Sequence, residues 1–163
     1  MVSAVKNESD RGCALILAAN IDNRLRDILE AFFICMPKRE GEKLFERGVL
    51  SNLAAKNRVA YACGLLSKNE FEDISGIIKV RNYFAHKEHG WDFNKKEVKE
   101  VCDKFEMIKE IQKKHPEFYK KIAGCRDVFQ VTAVSIIWLL ENQEKRAKGE
   151  KRTSPPLTSI LPK

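Results

Sequence analysis

The fold class is decided by residues 10–35, which read DRGCALILAANIDNRLRDILEAFFIC. Apolar side chains recur in this stretch at spacings of three and four residues, the period of one face of an α-helix. Asn23, Arg26 and Glu30 occupy the opposite side. The stretch therefore predicts a long amphipathic helix that other apolar surfaces must cover, and Pro37 is expected to stop it. Its apolar positions are Ala14, Ala18, Ile21, Leu25, Leu29 and Phe32.

The rest of the chain repeats helical periodicity and contains no alternating strand pattern of useful length. The fourth predicted helix starts with a capping box at Ser67 and Glu70. We therefore predict an all-α fold, a single-domain helical bundle of five to six helices. The helices predicted after the first cover residues 42–46, 51–64, 67–89, 94–115 and 124–145. Phe71, Ile74, Ile78 and Ala85 are expected to form the buried stripe of the fourth.

The two ends of the chain lack a periodic apolar face. We expect residues 1–9 to be a flexible N-terminus, residues 10–146 to form the bundle, and residues 147–163 to be a mobile, basic and proline-containing tail. With 163 residues in all, the chain is long enough for one domain with a substantial core.

Composition limits the functional classes. The formal net charge is +7, which allows an acidic partner such as nucleic acid without establishing one. Five cysteines with no C-x-x-C pair argue against a disulfide framework and predict a reducing, cytoplasmic location. No apolar run has the length of a membrane span, and the run at residues 13–19 lacks the context of a signal peptide.

The motif KVRNYFAH, near the end of the fourth predicted helix, places Arg81, Asn82 and His86 together. One interpretation is structural: Arg81 pairs with Asp22 or Asp27, Asn82 bonds a loop carbonyl, and His86 caps the helix C-terminus. The other is a phosphate site, because Arg offers a forked donor to phosphate oxygens and His moves a proton near neutral pH. Both interpretations stay open from the sequence.

Other patterns are weaker. His86 and His89 have metal-like spacing, but no Cys or third His lies near them, so no metal is expected. No glycine-rich phosphate loop is present, and no cofactor is expected. A basic run near the C-terminus is either a solvated helix end or an arm that contacts nucleic-acid phosphates. It consists of Lys145, Arg146, Lys148, Lys151 and Arg152.

Several segments in a fixed order carry a family resemblance. These are ANIDNRL at 19–25, LFERGVL at 44–50, AAKNRVAYACGLL at 54–66, and FEDI followed by IIKVRNYFAH within 71–86. The order resembles the mannitol operon repressor (MltR-type) family over about residues 10–142. The resemblance implies an all-helical transcriptional regulator of sugar-alcohol uptake that lacks a recognisable DNA-reading motif.

A shorter resemblance concerns the catalytic motif of another group. Arg81 and His86, separated by four residues, are similar to the Arg-x(4–6)-His signature of HEPN domains. These are helical bundles that often dimerise, and many are metal-independent ribonucleases. The resemblance implies catalytic roles for Arg81 and His86, with Asn82 supporting them.

The leading hypothesis is a non-enzymatic, repressor-type regulator that acts through nucleic acid, DNA or RNA, or through a regulatory protein partner. The first or the sixth predicted helix would form a homodimer face, and no membrane association is expected. The alternatives are a HEPN-like ribonuclease of the toxin or defence type, and a protein-interaction module.

Overall fold

The computed structural model describes residues 5, 7–86, 90–150 and 152–153. Within these ranges the chain is helical and contains no strand, which confirms the predicted fold class. Eight helices lie in the described part of the chain, so the predicted number of five to six is too low. They are α1 (Asp10–Phe32), α2 (Lys38–Phe45), α3 (Leu53–Ala62), α4 (Lys68–His86), α5 (Lys96–Cys102), α6 (Glu106–Lys114), α7 (Pro116–Tyr119) and α8 (Cys125–Gly149).

The longest two helices, α1 and α8, run parallel and share the most extensive contact of the fold. Arg126 of α8 binds Asp10 at 2.7 Å near the start of both helices, and Arg24 binds Glu141 at 2.9 Å further along. The predicted apolar face of α1 is buried. Its fully buried members include Ala14, Ile21, Leu25 and Leu29.

Helix α4 lies at the centre of the bundle, in contact with α1, α3, α5, α6 and α8. It runs antiparallel to α1, and Arg11 of α1 donates a hydrogen bond to the Ala85 carbonyl at its end. The predicted buried stripe included Phe71, Ile78 and Ala85, but these three residues are only partly buried. Because neighbours cover α4 on several sides, its buried positions extend around the helix beyond that stripe. They are Asp73, Ile74, Ile77, Val80 and Phe84.

The single helix predicted over residues 94–115 is interrupted, which explains part of the difference in helix number. The Asp73 carboxylate of α4 accepts hydrogen bonds from the backbone N–H groups of Glu106 at 2.8 Å and Met107 at 2.9 Å. It thereby caps α6 from another helix, since the first N–H groups of a helix have no partner inside it. A tertiary contact thus favours a new helix start where local sequence favours continuation.

The same junction requires a glycine in α4. A Cβ atom at Gly76 would lie 2.7 Å from Cε1 of Phe105, which is the residue before α6 and is buried. Gly76 therefore lets the Phe105 ring approach the backbone of α4.

The observed helix starts agree only in part with those predicted from the sequence. The capping box is confirmed, because the Ser67 N–H donates to Glu70 at 2.6 Å and the Glu70 N–H donates to Ser67 at 3.3 Å. Helix α3 is capped by Asn52, whose side chain accepts from the Ala55 N–H, whereas the prediction began this helix at residue 51. Residues 1–4, 6, 151 and 154–163 lie outside the described residues, so the division into a bundle and two tails stays a prediction.

We expect Asp73→Ala to lower the free energy of unfolding by about 1–2 kcal/mol, because two N–H groups of α6 lose their acceptor. Asp73→Asn keeps one acceptor oxygen and should cost less. Urea unfolding measures both. An Asp73→Ala protein as stable as the wild type would contradict this role.

The wild type should also show a pH dependence that Asp73→Asn removes. Burial raises the pKa of the Asp73 carboxyl above its ordinary range, so the folded protein holds this proton more tightly than the unfolded chain. Stability therefore falls as the pH rises from about 4 through the raised pKa.

Candidate functional site

A groove of about 560 Å³ lies between α1, the N-terminus of α3 and the second half of α4. It contains two of the three predicted site residues, Arg81 and Asn82. Its other lining residues are Leu15, Ala18, Ala19 and Asp22 of α1, with Ser51, Asn52, Leu53, Ala54 and Ile78.

An ion pair anchors one wall of this groove. The Lys56 ammonium donates to both carboxylate oxygens of Asp22, each at 2.8 Å, and the Lys56 side chain is 4% exposed. A buried ammonium needs a partner of opposite charge, because the cost of removing it from water is otherwise large. The pair therefore ties α3 to α1 and fixes the shape of the groove.

The predicted structural role of Arg81 is not the one found. Asp22 accepts from Lys56, and Asp27 lies 3.3 Å from Arg24 on its own helix. Arg81 instead donates from Nη1 to Oδ1 of its neighbour Asn82 at 2.9 Å, and both side chains are exposed. This hydrogen bond orients the guanidinium at the groove, where it remains accessible to an anion.

His86 is separate from this pair. It is the last residue of α4 and is exposed, but it is not among the residues that line the groove. It lies five residues after Arg81, about 7 Å along the helix axis. The structure thus joins Arg81 to Asn82 and places His86 beyond them at the end of the same helix.

The predicted basic run lies toward the other end of the bundle. Lys148 pairs with Glu144 within α8 at 2.8 Å, and Arg146 pairs with Glu150, the residue that follows α8, at 3.3 Å. The Arg152 guanidinium lies 5.0 Å from the ring centre of Phe32, at the end of α1. The groove that contains Arg81 faces residues 15–22 of α1. Arg81 and the basic run are therefore separated by roughly 20 Å along this helix. Lys145 is exposed on α8, and Lys151 lies outside the described residues.

Sequence analysis missed a second surface. The Trp138 side chain of α8 is 63% exposed beside an apolar groove of about 440 Å³ between α6 and α8. The available signal was the sixth predicted helix itself, which sequence analysis named as one of two candidate homodimer faces without singling out Trp138. Its other lining residues are Met107, Glu110, Ile111, Val134, Ser135 and Leu139.

The described part of the chain offers neither a metal site nor a membrane-spanning helix. No group of three His, Cys, Asp or Glu side chains is arranged to hold a metal ion there. His89 of the predicted His-x-x-His pattern lies outside the described residues. Among the described helices, none combines the length and apolar character needed to cross a membrane.

Comparison with known protein families decides the class to which this fold belongs. The family model described as "Mannitol repressor" matches residues 42–135, which is more than half of the chain. The chain belongs to the mannitol repressor family. The resemblance seen in the sequence is therefore confirmed, and it supports a function of the transcriptional-regulator type. No curated protein and no solved structure matches the chain.

The mannitol repressor match covers some of the surfaces described above and not others. It includes the α4 residues Arg81, Asn82 and His86, together with Lys56, which pairs with Asp22 of the groove. It ends three residues before Trp138. The similarity of Arg81 and His86 to the HEPN signature stays a prediction.

We expect Lys56→Met to lower the free energy of unfolding by about 2 kcal/mol, because it leaves the half-buried Asp22 carboxylate without its cation. Adding Asp22→Asn should restore part of this loss, since the unpaired charge is then absent. Denaturant unfolding of both variants measures the coupling.

Lys38→Ala is the matched control, because it breaks an exposed ion pair with Glu42. It should leave stability unchanged. If Lys56→Met is as neutral as Lys38→Ala, the Lys56 pair does not hold the groove together.

Proposed function

We propose that this protein is a cytoplasmic, repressor-type transcriptional regulator that works as a homodimer and reaches its promoter through a protein partner. Membership of the mannitol repressor family supports the regulator class. The observation that carries the rest is the exposed Trp138 face on α8. Aromatic side chains beside apolar grooves are typical of protein contacts.

Direct DNA reading is the less favoured route. Helices α3 and α4 are the pair closest to a helix-turn-helix, in which the second helix must be exposed to enter the major groove. Helix α4 instead contacts five other helices and buries Ile74, Ile77, Val80 and Phe84. Using it as a recognition helix would require the core to open.

Cationic residues support a weaker, sequence-independent contact with nucleic acid. Arg81 and the basic run of Lys145, Arg146, Lys148, Lys151 and Arg152 are the proposed phosphate contacts. Arg146 and Lys148 are each already paired with a neighbouring carboxylate, so less of their charge is available to phosphate. This contact would be lost as the salt concentration rises.

The Trp138 face is suited to a second copy of the same chain. A protruding indole and an apolar groove lie side by side on one surface. A two-fold axis next to them would place each Trp138 in the groove of the other copy, which is the geometry of a closed dimer. Of the two predicted dimer helices, α8 is favoured over α1, because the apolar face of α1 is buried in the core.

Trp138→Glu should convert the dimer to a monomer, because it places a charge in the apolar contact. We expect the dimer dissociation constant to rise by about 30-fold or more, as measured by sedimentation velocity. In cells, repression of a reporter behind a sugar-alcohol uptake promoter should be lost with the dimer.

Phe118→Glu is the control, since Phe118 is an exposed aromatic residue of α7, 49% exposed. It should change neither measurement. If the wild-type protein is a monomer, the homodimer proposal is wrong. If the wild-type protein does not repress the reporter, the regulator proposal is wrong. Sequence-specific, salt-resistant binding of purified protein to promoter DNA would refute the need for a partner.

A second candidate function, a metal-independent ribonuclease, is favoured by the hydrogen bond that holds Arg81 to Asn82 at a groove. In this mechanism His86 removes the proton of the RNA 2′-hydroxyl, whose oxygen attacks the adjacent phosphate. A 2′,3′-cyclic phosphate forms as the P–O5′ bond breaks, and the 5′-oxygen takes up the proton that His86 removed. Arg81 stabilises the charged phosphorane, and Asn82 positions Arg81. Substrate binding would have to bring the exposed His86 imidazole toward the groove.

This second function predicts RNA cleavage in the presence of a chelator, with cyclic phosphate ends. Arg81→Ala and His86→Ala should each reduce the rate about 100-fold or more without loss of helicity. Lys79→Ala, an exposed change on the same helix, should have no effect. Unchanged cleavage by His86→Ala would eliminate the mechanism.

A further inference from the structure

The groove between α1, α3 and α4 has the size and lining of a small-molecule site. Ala18, Ala19 and Ala54, here called the alanine floor, have short side chains that leave about 560 Å³ of space between the three helices. Leu15 and Ile78 add to the apolar part of the lining. Sites for small molecules commonly have volumes of this order and combine an apolar lining with a few placed polar groups.

Two charged groups of the lining lie at opposite ends of the groove. Helices α1 and α4 are antiparallel, and Arg11 of α1 contacts the Ala85 carbonyl of α4. Leu15 and Arg81 each lie four residues inward from that contact, so they are at about the same level. Asp22 lies seven residues beyond Leu15, about 10 Å further along α1. The groove therefore has a guanidinium at one end and a carboxylate at the other.

The charges at the two ends differ in how far they are neutralised. The buried Lys56 ammonium compensates the Asp22 carboxylate, with both oxygens at 2.8 Å. Arg81 donates to the amide oxygen of Asn82, a neutral group that orients the guanidinium without neutralising it. These three charged side chains together leave an excess of one positive charge, and it is located at the Arg81 end.

The Asp22 end still offers a hydrogen-bond acceptor. The Asp22 side chain is 31% exposed, and each carboxylate oxygen has two lone pairs, of which Lys56 engages one. Because Lys56 already balances the charge of Asp22, a neutral donor such as a hydroxyl group fits this end better than a second cation.

We propose that this groove binds a small organic anion with a carboxylate at one end, a hydrocarbon body and a hydroxyl group at the other end. The carboxylate would accept hydrogen bonds from the forked guanidinium of Arg81. The body would cover the alanine floor, and the hydroxyl group would donate to Asp22. Binding of this kind requires neither the homodimer nor RNA cleavage, so it goes beyond both proposed functions.

The test uses three probes of equal chain length on the full-length wild-type protein. 6-Hydroxyhexanoate has both end groups, hexanoate lacks the hydroxyl group, and 1,6-hexanediol lacks the acid. We expect 6-hydroxyhexanoate to shift the backbone amide NMR signals of Ala18, Ala19 and Ala54 in a saturable way, with a dissociation constant of about 1 mM. Hexanoate should bind about 5-fold more weakly and the diol about 10-fold more weakly.

A variant isolates the role of the guanidinium. Arg81→Gln removes the charge and should weaken the binding of 6-hydroxyhexanoate about 10-fold, while binding of 1,6-hexanediol stays the same. Unchanged binding of the diol shows that the groove is intact. Arg58→Gln is the matched control, because Arg58 is an exposed residue of α3 that does not line the groove. It should bind all three probes as the wild type does.

Three results would each overturn the proposal: no saturable shift at the alanine floor, equal affinity for the three probes, or equal binding by Arg81→Gln and Arg58→Gln. The comparison of probes on the wild type decides the matter even if a variant fails to fold. Sedimentation, reporter repression and RNA cleavage are measured separately, so their failure leaves this binding result unaffected.

Discussion

Burial of α4 among five other helices is the constraint on which the rest of the structure depends. It explains why Gly76 is needed, since the Phe105 ring comes close enough to exclude a Cβ atom. It also explains the role of the buried Asp73. Burying this carboxylate would cost free energy if it did not accept hydrogen bonds from two N–H groups of α6. The last turns of α4 keep Val80 and Phe84 buried in this centre, and Arg81, Asn82 and His86 are exposed on the remaining faces of the helix.

Buried polar groups connect the helices in pairs. Lys56 joins α3 to Asp22 of α1, and Asn57 of α3 donates to the Phe71 carbonyl and the Ser75 hydroxyl of α4. Such contacts set the relative positions of helices that apolar packing alone would allow to slide. The groove that contains Arg81 owes its shape to them.

Functional groups are distributed over separate surfaces. The Arg81 groove lies between α1, α3 and α4, and the Trp138 face lies between α6 and α8. The net charge of +7 contributes a diffuse attraction for anions, while several cations are held by carboxylates one helical turn away.

The sequence by itself determined the helical class, the apolar face of α1, the Ser67–Glu70 cap and the family, because each depends on residues close together in the chain. The sequence also identified Arg81 and Asn82 as candidate site residues, and both line the same groove. The tertiary structure alone decided the break before α6, the partner of Asp22 and the exposure of Trp138. These features depend on which helices pack against each other. Such contacts join residues that are far apart in the chain, and hydrophobic periodicity describes only residues within one helix.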